Sequence, residues 1–367
     1  MTTATIGILG GGQLGRMLAL SGYPLAIRFR IYEPSLEACA GIVAEHRVGA
    51  YDDWEELQRF AGGLDAITYE FENVPLETAR FLERYVPVFP PSAALEAAQD
   101  RIAEKQNFVR LGIPTPDFAA VTTPEELGAA VTHIGLPSVL KTCRMGYDGK
   151  GQFVLRTPDD VQNAASQMDG TPYILERFIP FERELSLIAV RGRDGACVFY
   201  PLTENYHREG ILRLSLCPAP NITRSLQSKA EDYLRVLLAS LDYVGVLTVE
   251  FFEQDGHLIA NEMAPRVHNS GHWTMNAGCV SQFENHVRAV AGLSLGSTTP
   301  RGFAAMVNLI GTLPDISAVL SLEGAFLHLY GKEPKTGRKI GHINLCADTP
   351  AQRTELVERL NDLIAVK

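Results

Sequence analysis

No apolar run in this chain is long enough to cross a bilayer, and no basic stretch precedes the apolar segment Ile6-Gly7-Ile8-Leu9 as in a secretion signal. Membrane-spanning and exported classes are therefore not expected, and the expected location is the cytoplasm. Cysteine is sparse and dispersed: Cys39, Cys143, Cys197, Cys217, Cys279 and Cys346 form no C-x-x-C pair and no zinc-finger spacing. Free thiols in a reducing compartment follow from that pattern. Positive charge is in deficit, with 33 basic against 43 acidic residues and a formal charge of −10. Broad binding to nucleic acid or to an anionic membrane is argued against, whereas a local basic pocket for a phosphorylated small molecule is not. Internal repeats and low-complexity stretches are missing too. With 46% hydrophobic and 21% charged residues, the 367-residue chain reads as globular and too long for one ordinary core.

Strand-like and helix-like segments alternate from Thr5 to Phe89. The strands are expected at Thr5–Leu9, Ile27–Tyr32, Ala66–Tyr69 and Val86–Phe89, with helices at Leu14–Ser21, Asp53–Phe60 and Leu76–Tyr85. Such alternation predicts an α/β unit with parallel strands and helical crossovers. Pro90-Pro91 interrupts it, and helices around Ala93–Ala98 and Arg101–Leu111 follow. Gly112-Ile113-Pro114-Thr115-Pro116 then marks a boundary, since closely spaced prolines stop a helix. A smaller mixed unit runs to Tyr173–Leu175. Beyond Glu184 the strands lengthen (Leu185–Arg191, Ala196–Leu202, Val244–Phe252, His257–Asn261), which predicts an antiparallel sheet flanked by helices Ser225–Leu241 and Ser281–Ala291. A short final unit ends in the helix Ala351–Leu363. The expected units are 1–112, 113–178, 179–300 and 301–367.

Two glutamates frame a hairpin made of Val249-Glu250-Phe251-Phe252, a turn at Gln254-Asp255-Gly256, and Leu258-Ile259-Ala260-Asn261-Glu262. A two-residue Asp-Gly loop would pair Glu250 with Asn261 and send Glu262 to the other face. A three-residue loop ending in Gly256 would instead make Glu250 and Glu262 diagonal neighbours on one face, roughly 7–8 Å apart. Only that second geometry lets the two carboxylates share a divalent cation, and Mg²⁺ suits one or two carboxylates completed by water and phosphate. The competing reading is a solvated hairpin with two surface acids.

Gly10-Gly11-Gly12-Gln13-Leu14-Gly15 satisfies G-x-G-x-x-G between a strand and a helix, with Glu33 where a ribose-binding acid would lie. Alone it is compatible with a dinucleotide, another phosphate, or nothing. The run from Lys141 to Gln152 is more specific: a lysine ends a strand, and a loop with three glycines and two further cations joins it to the next strand. Glycines let backbone amides approach phosphate and lysines neutralise it, although no helix follows as in a Walker loop. A hairpin tip would explain the glycines but not Lys141. Tyr173-Ile174-Leu175-Glu176-Arg177-Phe178-Ile179 offers backbone groups and Glu176 to an adenine edge, with Glu184 available for ribose hydroxyls.

Strand lysine, glycine-rich lid, acidic hinge and two acids on a sheet form an order that resembles the ATP-grasp ligases. Six runs narrow the resemblance to the 5-(carboxyamino)imidazole ribonucleotide synthase family. They are Gly11–Met17, Glu70–Pro75, Gly146–Gln152, Tyr200–Asn205, Asn261–Thr274 and Gly337–Asn344. Two departures stand out: Ala264 where many ATP-grasp ligases carry asparagine, and Cys143 where a basic residue is expected.

The resemblance implies an ATP-grasp fold with an N-terminal parallel-sheet domain, a small lid and a C-terminal sheet domain. It implies ATP-dependent joining of bicarbonate to the amine of 5-aminoimidazole ribonucleotide, through carboxyphosphate, by a homodimer. Formate-using or biotin-carboxylating relatives, a nicotinamide-dependent oxidoreductase and a non-catalytic nucleotide binder are the rival readings. By the same resemblance, Glu250 and Glu262 hold Mg²⁺. Arg101, Lys141 and the lid residues Gly146, Tyr147, Asp148, Gly149, Lys150, Gly151 and Gln152 contact ATP. Glu176, Arg177, Phe178 and Ile179 line the adenine, Glu184 takes the ribose, and His207, Asn261 and Glu262 complete the pocket. Arg266 and His268 are the catalytic candidates, His272 being either a site or a packing residue. Glu72, Tyr147, Asp148, Lys332, Arg338 and Lys339 are assigned to the amine substrate.

Overall fold

The computed structural model describes residues 4–146 and 151–365. Strands β1 (Thr5–Leu9), β2 (Arg28–Tyr32), β3 (Glu45–Arg47) and β4 (Ala66–Tyr69) form a parallel sheet in the order β3-β2-β1-β4. Helices α1 (Gln13–Gly22), α2 (Trp54–Ala61) and α3 (Leu76–Leu82) are its crossovers. The expected fourth strand at Val86–Phe89 shrinks to a single bridge between Val88 and Ile67. Pro87 within this stretch and Pro90 just after it bring no N–H to a ladder, which leaves too few donors for a full strand. Helices α4 (Ser92–Gln99) and α5 (Arg101–Arg110) follow. The Asp100 carboxylate caps α5 by accepting from Ile102 N and Ala103 N.

The small unit is a four-stranded antiparallel sheet, ordered β5-β8-β6-β7. It contains β5 (Phe118–Val121), α6 (Pro124–Ile134), β6 (Ser138–Thr142), β7 (Gln152–Leu155), α7 (Pro158–Ser166) and β8 (Tyr173–Arg177). Both helices start at capping boxes, Thr123 with Glu126 and Thr157 with Asp160, each with proline at the first helical position. Leu127, Ile134, Leu140, Leu155 and Leu175 give this unit a core of its own.

A nine-stranded sheet carries the rest. Its strands are β9 (Arg183–Arg191), β10 (Cys197–Phe199), β11 (Thr203–Arg208), β12 (Ile211–Cys217), β13 (Gly245–Gln254), β14 (His257–Ala264), β15 (Phe303–Ile310), β16 (Ala325–Leu329) and β17 (Lys339–Ala347). The order is β14-β13-β9-β11-β12-β15-β17-β16, antiparallel throughout, with β10 beside β9. The expected strand over Ala196–Leu202 is cut to β10: Tyr200 N still donates to Ile188 O of β9 at 2.9 Å, Pro201 brings no N–H, and pairing with β9 resumes at Thr203 as β11. Helices α8 (Arg224–Ser240), α9 (Gln282–Ala291), α10 (Ile316–Leu320) and α11 (Pro350–Ala365) cover the sheet. Phe283 and Val287 of α9 join a core that reaches Ile6 and Ile8 of the parallel sheet as well as Ile188 and Val246 of the large one. Two layers are therefore welded through one helix. No helix among the described residues is long and apolar enough to cross a membrane.

Candidate active site

The three sheets meet around a cavity of about 680 Å³. Its floor is the β13–β14 hairpin, where the structure corrects one expectation. The loop has two residues, not three: Gln254 pairs with His257, and Asp255 and Gly256 have φ of 50° and 72°. Two positive φ values are the turn pattern that matches the right-handed twist of paired strands, and Asp-Gly favours it. The shared face of the acids arises farther along. Phe251 pairs with Ala260, yet Glu250 pairs with Glu262, leaving Asn261 as an extra residue in β14. This bulge shifts the alternation by one, so the buried positions run Leu258, Ala260, then Met263. Glu250 and Glu262 stand directly opposite one another, not diagonally.

Their electrostatics diverge. Burial and the facing charge of Glu262 push the Glu250 carboxyl up to about 7. Burial acts on Glu262 in the same sense, but Arg101, backed by Lys141, outweighs it and holds that carboxyl at about 2. Arg101 Nη1 donates to Glu262 Oε2 at 2.8 Å. Two facing acids with one cation on one side must split in this way. A raised carboxyl and hard oxygen donors fit a divalent cation of the Mg²⁺ type, which would supply the missing countercharge. Among the described residues no group of three or more His, Cys, Asp or Glu converges, so the protein's share of such a site is a pair.

Lys141, at the end of β6, donates to Glu176 Oε2 at 2.8 Å and to Asn261 Oδ1 at 3.3 Å. Burial would raise Glu176, but Lys105 and Lys141 outweigh it and hold the carboxyl at about 2. That carboxylate is turned toward Lys105 and Lys141. The Arg177 side chain points outward to Asp117 at 2.9 Å. Val139, Val154, Phe178 and Phe252 line the apolar end, with Ile179 beside them. His207 Nδ1 lies 2.8 Å from Glu184 Oε2. Burial pulls His207 down, and the Glu184 hydrogen bond with nearby carboxylates raises it beyond its usual value.

At the other end Arg266 Nε donates to Glu72, and its Nη1 donates to Val267 O at 3.0 Å. Burial and the neighbouring Arg266 push His268 down to about 3, so its imidazole is neutral. His268 Nδ1 lies 2.9 Å from Ser270 Oγ and its Nε2 lies 3.4 Å from Glu250 Oε1. Lys332 Nζ donates to Gln13 Oε1, and both Lys332 and Lys339 line the cavity. Arg338 does not; its Nη1 donates to Glu333 O on the outside. His272 lines the cavity and also packs against the His342 ring at 4.7 Å between centroids. Cys143 and Ala264 line it as well. Of the lid, Gly146 and Gln152 line the cavity and Gly151 lies off it, while Tyr147, Asp148, Gly149 and Lys150 lie outside the described residues.

The glycine-rich turn is filled by the chain itself. Gly12 N and Gly15 N donate to the Glu70 carboxylate, and Gly11 N donates to Glu33 Oε2 at 3.0 Å. The amides that a dinucleotide pyrophosphate would need already have anionic partners. Sequence reasoning missed Glu70, Gln13, Glu104 and Lys105. Helical spacing held the signal for the last two, since Arg101, Glu104 and Lys105 share one face of α5.

Three family models match the chain: an ATP-grasp domain over residues 106–283, a ribonucleotide synthetase preATP-grasp domain over 3–99, and a phosphoribosylaminoimidazole carboxylase C-terminal domain over 304–356. The N5-carboxyaminoimidazole ribonucleotide synthase of Pseudomonas aeruginosa is 53% identical over 354 residues, 96% of this chain and 98% of that one. The crystal structure of N5-carboxyaminoimidazole ribonucleotide synthetase from Thermus thermophilus superposes with a TM-score of 0.94 at 55% identity, covering 99% of each chain. The N5-carboxyaminoimidazole synthase of Aspergillus clavatus, in complex with ADP and 5-aminoimidazole ribonucleotide, superposes with a TM-score of 0.92 at 31% identity, covering 99% of each chain.

Proposed function

The chain belongs to the N5-carboxyaminoimidazole ribonucleotide synthase family of ATP-grasp ligases, and from that premise we propose how its cavity works. It is an ATP-dependent carbon–nitrogen ligase of purine biosynthesis that acts on 5-aminoimidazole ribonucleotide. The carbon donor is bicarbonate. Hydroxide is a poor leaving group, so a bicarbonate oxygen first attacks the γ-phosphorus of ATP and ADP departs. The exocyclic amine then attacks the carboxyl carbon of carboxyphosphate, the carbon–oxygen bond to phosphate breaks, and the amine loses a proton. Catalysis of this kind is chiefly positioning and charge stabilisation.

The residues divide the work. Lys141 and Arg101 meet the phosphates together with the lid from Gly146 to Gln152, and the backbone after Glu176 meets the adenine. Glu184 and His207 take the ribose. Glu250 and Glu262 would hold Mg²⁺, which when bound neutralises charge on the phosphate oxygens. Arg266, steadied by Glu72, offers its fork to the planar carboxylate or the phosphoryl oxygens. His268, neutral and within reach of the cavity, accepts the amine proton. Lys332 and Lys339, which line the cavity, recognise the 5′-phosphate, and Tyr147 and Asp148 the aminoimidazole end. The enzyme works as a cytoplasmic homodimer, built as units 1–112 and 113–178 and, sharing one nine-stranded sheet, 179–300 and 301–367.

The facing pair of Glu250 and Glu262 beside Arg266 carries this reading, because two opposed carboxylates and a guanidinium fork line one cavity. An ADP-release assay with each component omitted in turn tests it. ADP is expected only when ATP, bicarbonate and the aminoimidazole ribonucleotide are all present. Release that needs neither bicarbonate nor the ribonucleotide overturns the assignment.

A further inference from the structure

Strand β14 ends its sheet, and among the described residues no strand pairs with its outer edge. The outward amides and carbonyls there still need partners. Before the bulge they belong to Ala260, whose N–H donates to Pro114 O at 2.7 Å and whose carbonyl accepts from Thr115 Oγ1 at 2.9 Å. Beyond the bulge the outward amide is that of Met263. The outward phase thus passes from an even to an odd position across Asn261. Helix α5 serves both phases. Lys105 Nζ, fully buried, donates to the carbonyls of Asn261 at 2.6 Å and Ala260 at 3.3 Å. Glu104, 2% exposed, accepts from Met263 N at 2.5 Å through Oε1. One turn earlier on the same face, Arg101 holds the Glu262 carboxylate.

Two adjacent buried ionisable side chains are costly, and an apolar pair would fill the space under an edge strand more cheaply. What an apolar pair would not do is distinguish the bulged register from the regular one. The two-residue turn at Gly256, continued without a bulge, pairs Glu250 with Asn261 and turns Glu262 away from the cavity. Lys105 and Glu104 satisfy carbonyls and an amide that point outward together only in the bulged register. The helix is itself fixed, since Asp100 caps it and Arg101 N donates to Cys143 O at 3.0 Å.

We propose that Glu104 and Lys105 are positioning residues that lock the Asn261 bulge, and thereby the face-to-face pairing of Glu250 with Glu262 that makes nucleotide binding cation-dependent. This rests on reading the two glutamates as the cation pair. The test uses the full chain with Glu104→Leu, Glu104→Gln, Lys105→Met and, as control, Glu262→Gln. ADP affinity is measured by calorimetry with and without Mg²⁺, alongside kcat and the KM for 5-aminoimidazole ribonucleotide. Glu104→Leu and Lys105→Met are expected to lower the tightening by Mg²⁺ at least tenfold and kcat by a similar factor, with that KM within twofold of wild type. Glu104→Gln keeps an acceptor for Met263 N and should retain the wild-type ratio. If Lys105→Met does not fold, the Leu and Gln variants at Glu104 decide. A folded Glu104→Leu protein with the wild-type Mg²⁺ ratio overturns the proposal, provided Glu262→Gln has lost that ratio. If Glu262→Gln also keeps it, the cation pair itself is wrong and the proposal falls with it.

Discussion

Glu250 and Glu262 are the same residue type on facing strands, yet one carboxyl is pushed up to about 7 and the other held at about 2. The difference lies in Arg101, which sits on one side only. Glu262→Gln removes the ionised member of the pair and leaves Arg101 without its partner. An ADP-release assay should record at least a hundredfold loss of kcat/KM, about 3 kcal/mol of transition-state stabilisation; near-normal turnover would remove Glu262 from the machinery. His286 carries a different kind of prediction, because it titrates far from the cavity. Its Nδ1 accepts from Val246 N at 3.1 Å, its Nε2 lies 2.8 Å from Thr68 Oγ1, and burial pushes it down to about 3. The folded protein keeps the ring neutral while the unfolded chain takes up a proton near its ordinary value. The stability contribution is therefore complete above about pH 6.5 and is lost as pH falls toward 3. His286→Asn keeps an acceptor for Val246 N and abolishes the titration. Urea unfolding of the two proteins should show the wild-type advantage shrinking by about 2 kcal/mol between pH 7.5 and pH 5, and a flat difference would refute this account.

At the scale of elements, legibility followed hydrophobic patterning. The parallel strands β1 and β4 are short apolar runs between turn residues, and their bounds are read from the sequence as they stand. Strand β11 was not expected because Thr203-Glu204-Asn205 is polar. It is buried nonetheless, since Asn205 bonds Ser186 and Ser215 and Glu204 meets Arg183. Strand β17 hides for the same reason, with His342 and Asn344 fully buried in its middle. The bulge is invisible for another: nothing local to Asn261 requires it, and the groups that hold it come from α5 and the segment at Pro114. The acids were legible by type and Lys141 by its place near a strand end, but their convergence on one cavity depends on contacts far apart in the chain. A consequence follows for the turn. Gly256→Val forces a β-branched residue to φ near 72°, which should cost about 1–2 kcal/mol. Urea midpoints should fall, while ADP release at 25 °C stays within a fewfold of wild type. A tenfold loss of turnover in a folded protein would mean that the turn, not the edge, sets the register.

Across the whole molecule, the cores are joined unequally. Phe283 and Val287 tie the parallel sheet to the large one, and the large sheet continues past residue 300 through β15, which pairs with β12 on one side and β17 on the other. A chain cut after Pro300 would bare the β12 edge and lose Met306 and Ala304 from the shared core. The small antiparallel unit is different, because its apolar residues pack on one another. Its first and last strands are neighbours, with Phe118 paired to Glu176, so the chain enters and leaves at nearly one point. Replacing residues 118–176 by two glycines should therefore leave a cooperatively folding protein. That protein should fail to bind ADP, having lost Lys141 and Glu176, while the chain cut after Pro300 should show no cooperative transition. Calorimetric scans of both proteins distinguish them directly. If excision abolishes the transition and truncation does not, the mechanical division of the molecule is the reverse of the one its cores describe.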